Sequence, residues 1–322
     1  MKKYLCVAAV WFIVFCLPGI AAPKLSVMLD FFVNPNHVPL IVAVKNGFFA
    51  QEGIEVEILV PGNPSDPVKL AAAGTVDIAL TPQINFLIAK SAGLPLIAVG
   101  SLIGSPLGGL LSLRETGIET LSDLRGRCIG YSLAPLEPTL WRTMLASVGV
   151  GSNEFELANV GFNTVLSLLT HRVDAIGAFR NFELPQVALL DHETLYFPQE
   201  DYGVPDTAEI ILVANPNLIA EHPTWIRAFL DGLSRGIAFT KEHPEAAYNL
   251  FLSAHPDLDD ELNHRAYDAT LPLYADGSNL PDQQAWDALQ DYLVEHGLIK
   301  EAFPLEDLYI TTFLSTEEGG ER

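Results

Sequence analysis

Leu70-Ala-Ala-Ala-Gly-Thr-Val-Asp-Ile-Ala-Leu80 is echoed later in the chain by Leu168-Leu-Thr-His-Arg-Val-Asp-Ala-Ile-Gly-Ala178. Each phrase reads as the end of a helix, a short turn, Val-Asp and an apolar strand. A single unit of this kind is ordinary, but its recurrence predicts two α/β lobes built on one plan. The two aspartates, Asp77 and Asp174, have a plain reading as turn residues.

The flanks of the first phrase supply the rest of a lobe. Leu25 to Leu29 reads as a short buried strand, and Pro39 to Asn46, stopped by Gly47, as a helix. Ile54 to Val60 is a second strand, Pro61-Gly-Asn-Pro64 a turn, and Ser65 or Asp66 caps a helix through Ala73. After the Ile78 strand, Thr81-Pro82-Gln83 opens a helix to Ser91. Strands alternating with helices predict a parallel sheet with right-handed crossovers. Leu94 to Leu113 carries no charge, yet Pro95, Pro106 and four glycines make it two buried strands with a flexible joint rather than a membrane span.

The second phrase is flanked in the same way. A helical turn is expected at Thr120 to Leu124, strands at Arg127 to Gly130 and Phe155 to Val160, and helices at Pro135 to Ser147 and Thr164 to Thr170. Ile210 to Ala214 reads as a strand returning to the first lobe. Helices over Pro223 to Lys241, Glu261 to Thr270 and Asp282 to His296 then pack on that lobe, and the polar tail from Ser315 frays. The expected division is a signal peptide over 1–21, a discontinuous first lobe over 22–106 and 208–322, and a second lobe over 107–207.

The 322 residues are 49% hydrophobic and 18% charged, enough for a large core and two lobes. Lys2 and Lys3, the apolar run Leu5 to Leu17 and Pro18-Gly-Ile-Ala21 form the three parts of a secretory signal, with cleavage expected after Ala21 and Ala22 as the alternative position. Phe15 before Cys16 is too bulky for a lipoprotein site. With Cys6 and Cys16 inside the signal, Cys128 is the only cysteine of the mature chain, which excludes an internal disulfide and suits a periplasmic protein held by its core. Removing Lys2 and Lys3 takes the net charge from −22 to −24, an acidic balance that opposes nucleic acid and anionic membranes.

Four segments follow predicted strands and therefore face one cleft: Asp30 to His37, Thr81 to Gln83, Gly130 to Ser132 and Arg180 to Glu183. The first, Asp30-Phe-Phe-Val-Asn-Pro-Asn-His37, has the aromatic, amide and imidazole content of a binding loop, although Asn34-Pro-Asn36 is also ordinary turn chemistry. Glu183 beside Arg180 has a plain alternative as a surface ion pair at a helix start. Gly130-Tyr-Ser-Leu-Ala134 approaches a nucleophile elbow but has Ala for the second glycine, and no His-Gly-Gly run supplies an oxyanion hole. The eight histidines show no metal spacing, and His222, His243 and His255 each precede a proline as turn residues do. No glycine-rich phosphate loop is present either, so neither cofactor nor metal is expected.

Gly47-Phe-Phe-Ala-Gln-Glu-Gly-Ile-Glu-Val56, the Ala-Gly-Thr-Val-Asp phrase, Leu121-Ser-Asp-Leu-Arg-Gly-Arg-Cys-Ile-Gly130 and Tyr202-Gly-Val-Pro205 together resemble the NMT1/THI5-like proteins, which have type II periplasmic-binding-protein folds. The resemblance runs from about Leu25 to Asn215, and Asn34-Pro-Asn-His37 with Asn63-Pro-Ser-Asp66 sharpens it toward the branch handling thiamine's pyrimidine precursors. It implies an exported, monomeric solute-binding protein of an ABC importer, with an inner-membrane permease as partner and a formylaminopyrimidine- or hydroxymethylpyrimidine-like ligand. Riboflavin-like, alkylsulfonate or nitrate ligands are the alternatives within the family. The family also contains a pyrimidine synthase that uses pyridoxal phosphate, but Thr81 stands for its lysine, Asn85 for its histidine and Val204 to Ala208 for its cysteine cluster. Without the lysine there is no Schiff base, so no enzyme is expected.

An aminopyrimidine asks for aromatic walls, an acceptor for its amine and amides for its ring nitrogens. The expected ligand-binding set is therefore Phe31, Phe32, Tyr131 and Phe182 as walls, Glu183 as acceptor, and Asn34, Asn36, Gln83 and Asn181 as amides. His37, Ser132, Arg180 and Tyr202 complete it.

Overall fold

The computed structural model describes residues 22–275 and 283–310; the expected signal peptide and the tail from Ser315 lie outside the described residues. Two five-stranded sheets form the chain's two lobes. The first contains β1 (Lys24–Met28), β2 (Glu55–Leu59), β3 (Ile78–Thr81) and β4 (Ile97–Ile103). The second contains β5 (Gly108–Leu113), β6 (Cys128–Tyr131), β7 (Glu156–Asn159), β8 (Ala175–Phe179) and β9 (Thr194–Pro198), after which β10 (Ile210–Ala214) rejoins the first sheet.

The strand orders, β2-β1-β3-β10-β4 and β7-β6-β8-β5-β9, are one pattern used twice. The duplicated phrase does the same work in each. Asp77 accepts from Ser26 N–H and Oγ–H, both at 2.7 Å, while its own N–H donates to the Ser26 carbonyl at 3.2 Å. Asp174 accepts from Cys128 N–H at 2.9 Å and returns its N–H to the Cys128 carbonyl at 2.8 Å. In both lobes the aspartate ties the turn before the central strand to the neighbouring parallel strand, fixing register where a slip would turn apolar side chains outward.

The sheets are mixed, not parallel as the alternation implied. β1, β2 and β3 run parallel, as do β6, β7 and β8, but β10 is antiparallel to β3 and β4, and β5 is antiparallel to β8 and β9. The reversed strands are the two that enter a lobe from the other one, without a helical crossover to bring the chain back to its starting end. The charge-free stretch is β4 and β5, both almost wholly buried, joined over Gly104 to Leu107. That joint is pinned: Leu107 and Gly108 N–H donate to one oxygen of Glu209, which lies in the returning joint, at 2.7 and 3.1 Å.

Helices after β10 pack on the first lobe. Pro223–Glu242 buries Ile226, Phe229, Leu230, Leu233 and Ile237 in the core that holds β1 and β3 residues. Gly236 makes the close approach possible, since a Cβ there would lie 2.4 Å from the Pro39 carbonyl. His222, His243 and His255 each occupy the non-helical position before a helix-starting proline. β9 and the helix Pro244–Ala254 have no counterpart in the sequence reading: β9 is a half-buried strand without clear alternation, and the helix follows its predecessor with only His243 between them.

Candidate functional site

The loop after β1 is built largely from its own polar atoms. Asn34 Oδ1 accepts from Asn36 N–H at 2.9 Å, and Asn34 N–H donates to His37 Nδ1 at 3.3 Å, capping the short turn Pro35–His37. With Nδ1 accepting, the proton sits on Nε2, which donates to Asp30 Oδ1 at 2.9 Å. Asn34 and His37 are thus engaged inside the loop, which leaves Asp30 and Phe31 facing a cavity between the lobes.

That cavity has about 750 Å³ of empty space, its solvent-open mouth included. From the first lobe come Asp30, Phe31, Thr81, Pro82 and, at the returning joint, Glu209. From the second come Ser132, Glu137 and Trp141 after β6, Gly177 to Phe179 on β8, and Glu183 at the start of the helix Glu183–Ala188. Among the described residues, four carboxyl groups line the space and no lysine or arginine does.

Each carboxyl is held differently. Glu137 takes Ser132 N–H at 2.7 Å and Ser132 Oγ–H at 2.8 Å on its two oxygens. Glu183 takes Phe179 N–H at 2.8 Å. Burial pushes the Glu183 carboxyl up to about 7, against that hydrogen bond and with the help of nearby Glu137. Burial likewise raises Glu209 to about 7, opposed by its bonds from Leu107 and Gly108, and it raises Glu137 despite Ser132. A region short of compensating cations is suited to a ligand that brings hydrogen-bond donors.

Of the residues expected from sequence, Phe31, Ser132 and Glu183 line the cavity. Phe32 and Phe182 stand behind it as an aromatic contact between the lobes, their ring centres 5.7 Å apart. Asn181 Nδ2 donates to Asn36 Oδ1 and to Thr270 Oγ1, both at 2.7 Å, so these two amides tie the lobes together. Gln83 Oε1 accepts from Ala208 N–H at 2.9 Å and secures the returning joint. Tyr131 packs against the core, and Tyr202 packs on Phe197. Arg180 does not pair with Glu183; it reaches Glu200 at 2.5 Å and lies over the Tyr196 ring, away from the cavity lining. Glu137, Trp141 and Glu209 were not in the expected set. The first two had a signal, since they sit four residues apart just after a second-lobe strand turn, on one face of the predicted helix.

Two α/β lobes of matching topology, touching at the rim of a buried cleft, define the architecture of the type II periplasmic binding proteins. The chain belongs to the NMT1/THI5-like family, which it matches over residues 34–247. It is 42% identical over 293 residues to a protein of Haemophilus influenzae named putative thiamine biosynthesis protein, covering 90% of this chain and 93% of that one. It is 30% identical over 297 residues to the formylaminopyrimidine-binding protein of Halalkalibacterium halodurans, covering 90% of each. More distant relatives, including one from Legionella pneumophila at 28% identity, are named 4-amino-5-hydroxymethyl-2-methylpyrimidine phosphate synthase. In fold it resembles the alkanesulfonate-binding protein SsuA from Xanthomonas axonopodis pv. citri bound to MOPS, with a TM-score of 0.71 at 15% identity, over 91% of this chain and 99% of that one.

Proposed function

We propose that this protein is the exported, monomeric solute-binding component of an ABC importer, with lobes over 22–106 plus 208–322 and over 107–207, and that its cleft takes a thiamine pyrimidine precursor of the formylaminopyrimidine or hydroxymethylpyrimidine type. The observation that carries this reading is the lining: aromatic Phe31 and Trp141 together with four carboxyls and no basic side chain. An aminopyrimidine offers a flat apolar ring and amine donors, which such a wall accepts. A sulfonate or nitrate would meet four carboxyls on a wall with no basic side chain among its lining residues, and Arg180, whose charge reaches Glu209, is already held by Glu200. The name of the Halalkalibacterium relative supports the same ligand class.

A pyrimidine synthase is the second reading, favoured by the names of the more distant relatives. Against it, Thr81 Oγ1 accepts from Asn85 Nδ2 at 2.9 Å where the resemblance sets the synthase's lysine and histidine, and neither side chain forms an imine. Calorimetry and thermal shift against hydroxymethylpyrimidine, formylaminopyrimidine, riboflavin, an alkylsulfonate and nitrate test the assignment. A pyrimidine is expected to bind and raise the melting temperature while the anions do neither. Preferential binding of an anion or of the flavin would overturn it, and a borohydride-trapped pyridoxal adduct on a cleft residue would favour the synthase.

A further inference from the structure

Trp141 is only 2% exposed, and its indole N–H has no hydrogen-bond partner among the described residues. A buried indole N–H is ordinarily bonded, and leaving it without a partner costs free energy. Trp141 is one of the residues that line the cavity. Gly177 shows what else shares that wall. A Cβ at Gly177 would stand 2.6 Å from Trp141 Cζ2, an atom two bonds from the indole nitrogen, and 2.8 Å from Glu137 Oε2. A donor edge and a carboxylate oxygen therefore flank one spot on β8 that has no side chain. Glu137 already accepts from Ser132 on each oxygen, but every carboxylate oxygen has a second lone pair.

Resting on the reading of the cleft as a pyrimidine site, we propose that Trp141 and Glu137 form a donor–acceptor pair that reads one edge of the ligand. The indole N–H donates to a ring nitrogen, and the Glu137 carboxylate accepts from the exocyclic amine beside it. The amine's second N–H is left for Glu183, which lies close enough to feel the Glu137 charge. The pair thereby selects rings that carry an amine next to a ring nitrogen, and rejects rings of the same shape that lack that nitrogen, because the buried indole N–H would stay unbonded.

The test is a cycle between ligand and protein. Dissociation constants are measured for hydroxymethylpyrimidine, and for its analogue with C–H in place of the ring nitrogen beside the amine, on wild type and on Trp141→Phe. Wild type is expected to prefer the pyrimidine by roughly tenfold, and Trp141→Phe to bind the two about equally. In wild-type protein the Trp141 indole N–H resonance is expected to move downfield with the pyrimidine and not with the analogue, a readout that does not depend on the variant folding. A preference that survives in Trp141→Phe, or an indole resonance that responds equally to both compounds, would overturn the pairing while the pyrimidine reading stands. If wild type binds neither compound and does not bind formylaminopyrimidine, the pyrimidine reading fails and this inference fails with it; if it binds formylaminopyrimidine alone, the same comparison is made with that ligand and its C–H analogue.

Discussion

Glu183 has two neighbours to satisfy: the Phe179 N–H, 2.8 Å away at the end of β8, and whatever occupies the cavity. In Glu183→Gln the amide oxygen would keep the Phe179 bond and turn the NH2 toward the ligand, so a donor meets a donor. Binding of an aminopyrimidine is expected to weaken by about 1.5 to 3 kcal/mol, read by calorimetry roughly one pH unit above the carboxyl's value so that wild type is ionised. For an anionic ligand the sign reverses, since the substitution removes a repelling charge. Composition marks the Asp30 to His37 loop, whose Asp30 and Phe31 line the cavity, without saying which of its other groups reach it. Its amides and imidazole are the groups a ligand would want, but Asn34, His37 and Asp30 bond one another, and only the backbone path says which polar atoms remain for the cavity.

Among the elements, β8 and the helix Leu136–Ser147 decide the shape of the second-lobe wall. Gly177 has an ordinary backbone conformation, so its lack of a side chain serves space and not a turn. Gly177→Ala is expected to push Trp141 and Glu137 off their positions, lowering ligand affinity at least roughly tenfold and stability by about 1 to 3 kcal/mol. Parallel ligand titrations and urea melts check both effects; an affinity that is unchanged would mean the wall yields freely. The helix itself was legible from Leu136-Glu-Pro-Thr-Leu-Trp141, but not the face it turns to the cleft, because an apolar stripe marks burial without saying whether protein or ligand covers it.

For the molecule as a whole, the buried carboxyls set a pH dependence of stability. Glu183 and Glu209 rise from an ordinary 4.5 to about 7 on folding, so between those values the folded chain holds protons that the unfolded chain releases. Their contribution therefore falls as pH climbs through this window and levels off above it, by roughly 1.4 kcal/mol per pH unit for each group. Melting temperatures of wild type and of the double variant Glu183→Gln/Glu209→Gln, compared from the lower to the upper value, are expected to converge in acid and diverge toward neutrality, with the variant the more stable near neutral pH. A constant difference would show that neither carboxyl is desolvated as the fold implies. Glu209 also joins the two inter-lobe joints, and Asn181 joins Asn36 to Thr270, so the cavity lies among the contacts that hold the lobes together.

Two lobes on one plan, their main strands and most helices, and the return of the chain to the first lobe were determined by the sequence alone. They rest on local patterns: apolar periodicity, turn residues, and a repeated Val-Asp whose carboxylate locks the same pair of strands in each lobe. Strand direction across the joints, the engagement of Arg180 by Glu200, and the meeting of Glu137, Trp141, Glu183 and Glu209 around one space were decided only by the tertiary structure. Those residues lie on different elements of two lobes, and whether a carboxyl faces solvent, a partner or a cavity depends on packing that no local window of sequence contains.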